Sequence, residues 1–261
     1  MLIGIDVGNT NITVGVFADG AEYISPLHSW RLTTLHHMTA DEMAAPVLAH
    51  LGHVGISAGS LQAAIVSSVV PVLERTIREM LERILAIRNP VFVTHETDSG
   101  IAFDYPNPAE VGADRIVNAA AGRVLYGAPL ILVDFGTATT FCCISRVGAY
   151  LGGEILPGVG ISLQALTSRA AKLSSVPIGR PPRAIGKSTG DGMVAGLYYQ
   201  NVGALEKIVR LLKDEMGAPE PKVVATGGFA NLFREGTECI DVIDADLTLK
   251  GLKIIYERQS S

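Results

Sequence analysis

Two stretches of this chain carry a carboxylate, then a glycine, then small polar residues, each directly after an apolar run. The first is Ile3-Gly4-Ile5-Asp6-Val7-Gly8-Asn9-Thr10-Asn11, the second Ile131-Leu132-Val133-Asp134-Phe135-Gly136-Thr137-Ala138-Thr139. A strand that ends in Asp-x-Gly can do definite chemistry. The glycine lets the backbone turn tightly and come close to a ligand. Successive amides and Asn or Thr side chains then offer donors to an anion such as phosphate. The aspartate would repel phosphate unless a cation or its hydration shell lay between them. Two such loops, facing each other across a cleft, could hold one polyphosphate. A third piece, Thr226-Gly227-Gly228-Phe229-Ala230, follows the apolar Val223-Val224-Ala225. It would give a bare backbone platform for a flat ring such as a nucleobase.

The elements that must position these loops repeat. Asp6 and Asp134 lie 128 residues apart, almost half of the 261. Each loop is followed by a second β-rich stretch, over 12–17 and 141–144, then by a turn at Asp19-Gly20 or Gly148. Asp-Gly between β-rich runs is a hairpin signal. A later strand also recurs, at Ala63–Ser68 and again at 222–228. Apolar spacing predicts helices over 40–51, 71–85, 112–125, 161–172, 190–216 and 247–257. Gly217 should stop the long one, with Pro219 and Pro221 beyond it. Strands alternating with helices argue for an α/β fold. The halves should meet between residues 112 and 129, after the turn at Asn107-Pro108.

Composition excludes several functions. Hydrophobic residues are 48% and charged residues 18%, which is globular rather than disordered. Lys plus Arg number 21 against 26 Asp plus Glu, with no basic run, so no nucleic acid is expected as a partner. Cys142, Cys143 and Cys239 are odd in number and form no C-x-x-C pair, as expected of reduced thiols in a cytoplasmic protein. The N-terminus has no positive region typical of a signal peptide, and no apolar run reaches about 18 residues, so no membrane partner is expected. Gly186-Lys187-Ser188 imitates a P-loop end, but Pro181 stands where its first glycine belongs. His36-His37 and the pair His50 and His53 lack partners for a metal and read as surface residues. The 28 glycines are about 11% against an average near 7%, which points to tight turns and close approaches of backbone.

The pattern resembles the superfamily of acetate and sugar kinases, heat-shock ATPases and actin. Within it, type III pantothenate kinases resemble the chain far more closely. The resemblance is carried by Asn107-Pro108-Ala109-Glu110-Val111-Gly112-Ala113-Asp114-Arg115, with Asp6 to Asn11, Thr39 to Glu42, Ser67 to Pro71, Asp134 to Phe141 and Gly158 to Ser162. It implies duplicated actin-like ATPase (ribonuclease H-like) domains, with mixed central sheets flanked by helices, as halves 1–116 and 117–261. It implies ATP-dependent phosphorylation of pantothenate to 4′-phosphopantothenate, the first step of coenzyme A synthesis, in a cytoplasmic homodimer with interface active sites. ATP would be held by Asp6, Val7, Gly8, Asn9, Thr10, Asn11, Ile12, Thr13 and Thr137, with Asp6 near the ATP-bound Mg2+. Asp134 would ligate a monovalent cation, K+ or NH4+. Gly112, Ala113, Asp114 and Arg115 would hold pantothenate, with Tyr105 and Thr189 reaching it, and Asp114 would be the general base. Arg115 could grip the substrate carboxylate in a bidentate fork. One position departs from the family: Cys142 stands where an Asp is usual, which bears on cation dependence. The alternatives are a nucleotide-binding regulator that assists transcription, and another small-molecule kinase.

Overall fold

The structure is a computed structural model that describes residues 1–20, 22–170, 173–217 and 221–259. The chain forms two compact units, Met1–Leu125 with Asp246–Ser261, and Tyr126–Ala245.

In the first unit, β1 (Leu2–Val7) and β2 (Asn11–Phe17) pair antiparallel from Leu2 with Phe17 up to Val7 with Ile12. β3 (His28–Thr33) flanks β2, and β4 (Ala63–Ser68) flanks β1 in parallel. With β5 (Val91–Phe92) the sheet order is β3-β2-β1-β4-β5. The strands are rich in Ile and Val, and their alternate residues Ile3, Ile5, Val7, Val14 and Val66 form one buried face. That face is covered by α1 (Ala40–His53) and α2 (Pro71–Glu79). Helix α1 begins with a capping box, in which Thr39 accepts from the Glu42 N–H while the Glu42 carboxylate accepts from the Thr39 N–H. The Thr39 to Glu42 motif therefore has a local structural use. Helix α2 starts on Pro71, whose missing N–H is no loss there, and runs on into a π-helical turn at Met80–Ile84. The opposite face takes α7 (Leu247–Gln259), where Leu249 and Leu252 lie over the cross-strand pair Gly4 and Gly15. A short strand β6 (Ala102–Phe103) precedes α3 (Ala113–Tyr126), and Thr248 of α7 donates to the Asn118 side chain of α3.

The second unit repeats this plan. β7 (Leu130–Phe135) pairs antiparallel with β8 (Ala138–Ile144) and parallel with β11 (Lys222–Thr226). With β9 (Ala149–Gly152) and β12 (Val242–Ile243) the order is β12-β11-β7-β8-β9, and β10 (Ile155–Pro157) also pairs with β8. This is the first unit's order again, counted from each central strand. α4 (Val159–Arg169), α5 (Thr189–Met216) and α6 (Ala230–Arg234) complete the unit. The core joins Ile131, Val133 and Phe135 of β7 to Leu197, Leu205 and Val209 of α5 and Phe233 of α6. Gly217 ends α5 in the left-handed region at φ 59°, as its sequence position predicts. Pro219 beyond it, and residues 171–172 of the expected helix 161–172, lie outside the described residues.

The repeat extends to single ladder positions. Asp6 is in register with Thr13 on β2 and Ser67 on β4. Asp134 is in register with Thr140 on β8 and Thr226 on β11. Among the described residues no helix is long and apolar enough to cross a membrane.

Candidate active site

In the first unit, the loop after β1 is tied down by its own backbone and by one buried side chain. The Gly8 N–H donates to the Asn11 carbonyl at 3.0 Å. Thr34, buried just after β3, donates its N–H to the Thr10 carbonyl at 3.0 Å and its hydroxyl to the Gly8 carbonyl at 2.6 Å. Asn9, Thr10 and Asn11 stay exposed on a backbone held in a fixed frame. Val69, past the end of β4, donates to the Val7 carbonyl at 3.0 Å. Gly112 lies against the same Val69: a Cβ there would be 3.4 Å from Val69 Cγ1. Val69 thus links the first loop to the segment that opens α3.

Asp114 sits in that segment. Its Oδ1 accepts the Arg115 N–H at 2.8 Å and would be only 2.6 Å from a Cβ at Gly112. Burial raises its carboxyl above the usual range, because the charged form loses water. The Arg115 N–H and positive charge pull it back in part. A carboxylate held this way takes a proton more readily than an exposed one. Arg115 and Tyr105 are half-buried in the same unit.

The second unit frames Asp134 with backbone. Gly227 has φ +91°, and a Cβ on it would fall 2.5 Å from Asp134 Oδ1 and 2.6 Å from the Phe135 carbonyl. Only glycine fits, by conformation and by space. The Gly136 N–H donates to the Ala138 carbonyl at 3.0 Å, and the Gly158 N–H to the Thr137 carbonyl at 3.1 Å. Thr137 is exposed, as is Thr189, the first residue of α5. Cys142 pairs with Leu132, two ladder steps from Asp134, and is buried, with the Tyr150 hydroxyl 3.9 Å from its sulfur. It lies within the strand, not in the loop.

Neither aspartate belongs to a metal cage: among the described residues no three His, Cys, Asp or Glu side chains cluster to hold a metal. Around each, the register supplies hydroxyl oxygens, Thr13 and Ser67 or Thr140 and Thr226. Such hard oxygen donors suit Mg2+ or K+, and one carboxylate suffices for Mg2+ when substrate phosphates and waters fill the other positions.

The type III pantothenate kinase family model matches residues 2–211. A type III pantothenate kinase from Bacillus cytotoxicus is 46% identical over 260 residues, covering 100% of this chain and 97% of the relative. The chain belongs to the type III pantothenate kinase family. It is accordingly a phosphotransferase that uses ATP with a divalent metal. Solved structures agree on the fold. A protein named as a Baf family transcriptional activator, from Campylobacter jejuni, superposes with TM-score 0.61 at 18% identity over 99% of this chain and 100% of its own. The activator of 2-hydroxyisocaproyl-CoA dehydratase from Clostridium difficile gives 0.56 at 12% identity, over 99% and 97%. The chain has the duplicated actin-like ATPase fold, with mixed sheets flanked by helices.

Of the residues expected from sequence, the first unit holds Asp6 to Thr13, Tyr105 and Gly112 to Arg115. The second holds Asp134, Thr137 and Thr189. Sequence reasoning gave no role to Thr34, and quoted Val69 only within the Ser67 to Pro71 motif. Thr34 carried only a faint signal, a hydroxyl at the end of a third strand, and Val69 acts through its backbone N–H and one methyl group.

Two outcomes are expected. Gly227→Ala should destabilise the protein by about 1–3 kcal/mol, since it strains the backbone and displaces Asp134; an unchanged urea midpoint would refute this packing. Asp114→Asn should raise the melting temperature at pH 7. The folded-state pKa lies above the unfolded one, so the ionised carboxylate opposes folding above that value and has no effect below the unfolded one. The gain should therefore shrink as pH falls towards the ordinary aspartate range, which melting curves across pH can follow.

Proposed function

We propose that this chain transfers the γ-phosphoryl group of ATP to the primary hydroxyl of pantothenate, with Asp114 as general base. The observation that carries this reading is the desolvated Asp114 carboxylate, joined through Gly112 and Val69 to the first loop. In-line transfer needs mainly positioning and charge neutralisation. Asp114 accepts the hydroxyl proton, the hydroxyl oxygen bonds to the γ-phosphorus, and the bond to the ADP oxygen breaks. The exposed residues Asn9, Thr10 and Asn11, with Asp6, Val7, Gly8, Ile12, Thr13 and Thr137, hold the nucleotide. Asp6 would hold the water shell of Mg2+, which would supply charge neutralisation at the phosphates, and Asp134 would hold K+ or NH4+. Gly112, Ala113 and Arg115, with Tyr105 and Thr189, bind pantothenate, and the Arg115 guanidinium suits its carboxylate.

The segments 1–116 and 117–261 are read as the two halves of one duplication, which the repeated strand order and register support. The working form is read as a cytoplasmic homodimer with sites at its interface, acting on small molecules rather than on nucleic acid or membranes. The acidic balance supports the last point.

Asp114→Asn should lower kcat by about 10²–10⁴-fold and spare ATP binding; near-normal turnover in a coupled ADP-release assay would remove Asp114 from this role. In the wild type, kcat/KM should rise with pH through a value above the ordinary aspartate range, because the raised pKa keeps the base protonated longer. Asp134→Asn should weaken activation by K+, and a K+ titration identical to the wild type would assign the cation elsewhere.

A further inference from the structure

Ser67 lies on the last ladder positions of β4, in parallel register with Asp6. Its hydroxyl is completely buried and has no hydrogen-bond partner. A buried, unpaired hydroxyl is costly, and native structures retain one only with a reason. Local structure supplies none. The next residue, Ser68, shows the contrast, since its hydroxyl accepts the Val70 N–H at 3.2 Å and so shapes the turn into α2. The four residues of β4 before Ser67 are Ala63, Ala64, Ile65 and Val66, so an apolar side chain at position 67 would suit the strand.

The side-chain direction is informative. Ala64 and Val66 of β4, with Ile3, Ile5 and Val7 of β1, form the core facing α1 and α2. Alternation therefore puts Ser67 and Asp6 together on the other face. The second unit has the same arrangement built from different residues. Thr226, buried, is in parallel register with Asp134, and Thr140 stands on its other side as Thr13 does beside Asp6. Each half thus places a buried hydroxyl beside the one carboxylate that ends its central strand.

We infer that Ser67 is a positioning residue for Asp6: its hydroxyl donates to the Asp6 carboxylate when that carboxylate turns to the metal-water shell of a bound magnesium–nucleoside triphosphate. The hydroxyl is unsatisfied in the free protein and satisfied in the bound one, so it favours the bound orientation of Asp6. This rests on the reading of Asp6 as the metal-facing group of the first loop.

The test uses the full chain and an ATP analogue with a β,γ-imido bridge, with Mg2+, titrated by calorimetry. Ser67→Ala should bind this complex about tenfold or more weakly, the range for a hydrogen bond to a charged group. Without ligand, the variant should melt at or above the wild-type temperature, because an unpaired buried hydroxyl has gone. The KM for pantothenate should not change, and the Mg2+ concentration for half-maximal binding should rise. Ser67→Thr, which keeps the hydroxyl and copies Thr226, should bind like the wild type. In an Asp6→Asn background, Ser67→Ala should have no further effect, since it acts through Asp6. A Ser67→Ala protein that binds normally, or that melts well below the wild type, overturns the proposal. So does Ser67→Thr binding as weakly as Ser67→Ala. If Asp6→Asn itself binds the complex normally, the reading of the first loop fails and takes this proposal with it. If Asp6→Asn weakens binding and Ser67→Ala does not, only the role of Ser67 fails.

Discussion

Parallel pairing of each central strand with a later strand is what sets the carboxylates in place. β1 pairs with β4 so that Asp6 is level with Ser67, and β7 pairs with β11 so that Asp134 is level with Thr226. The register is specified because each strand buries one complete apolar face, and a slip by one residue would turn that face outward. Ligands in such sheets bind beyond the carboxyl ends of the strands, where the chain leaves the ladder. The position of each aspartate is therefore a consequence of core packing several residues earlier in the strand. Helices α1, α2 and α7 secure the sheet of the first unit, and α5 and α6 cover that of the second.

Close backbone contact does the rest. Both Asp114 and Asp134 have a carboxylate oxygen where a glycine leaves room for it, at Gly112 and Gly227. A side chain at either position would push the carboxylate aside. This accounts for part of the high glycine content, which reflects close approach more than flexibility. Asp114 also shows a conflict between stability and chemistry. Burial makes its charged form costly, yet the same burial makes it a better proton acceptor. Thr34 and Val69 complete the frame at little cost, with three hydrogen bonds to main-chain carbonyls of the first loop and β1.

Much of this was legible in the residues. The duplicated Asp-x-Gly pattern, the hairpin at Gly148 and the stop at Gly217 could be read from types and spacing, whereas Asp19-Gly20 falls inside a longer connection from Phe17 to His28. Helix ends were less so: α2 gives way at Glu79 to a π-helical turn within the expected 71–85 helix, because the burial of Met80, Leu81 and Leu85 decides the winding there. The Thr39 to Glu42 motif looked like part of a functional signature and is a capping box at the start of α1. Cys142, the one departure from the family pattern, is buried within β8 opposite Leu132, two ladder steps from the Asp134 pair.

By itself, the sequence determined which chemistry was available: carboxylates at strand ends, glycines beside them, and a nine-residue signature around Asp114 specific enough to indicate the family. Such features are local, set by neighbours a few residues away. Only the tertiary structure decided that Ser67 stands level with Asp6, that Thr34 clamps a loop 24 residues earlier, and that Gly227 touches a carboxylate 93 residues earlier. These contacts depend on strand pairing across long stretches of chain, and pairing is settled by the joint burial of both strands rather than by either one alone.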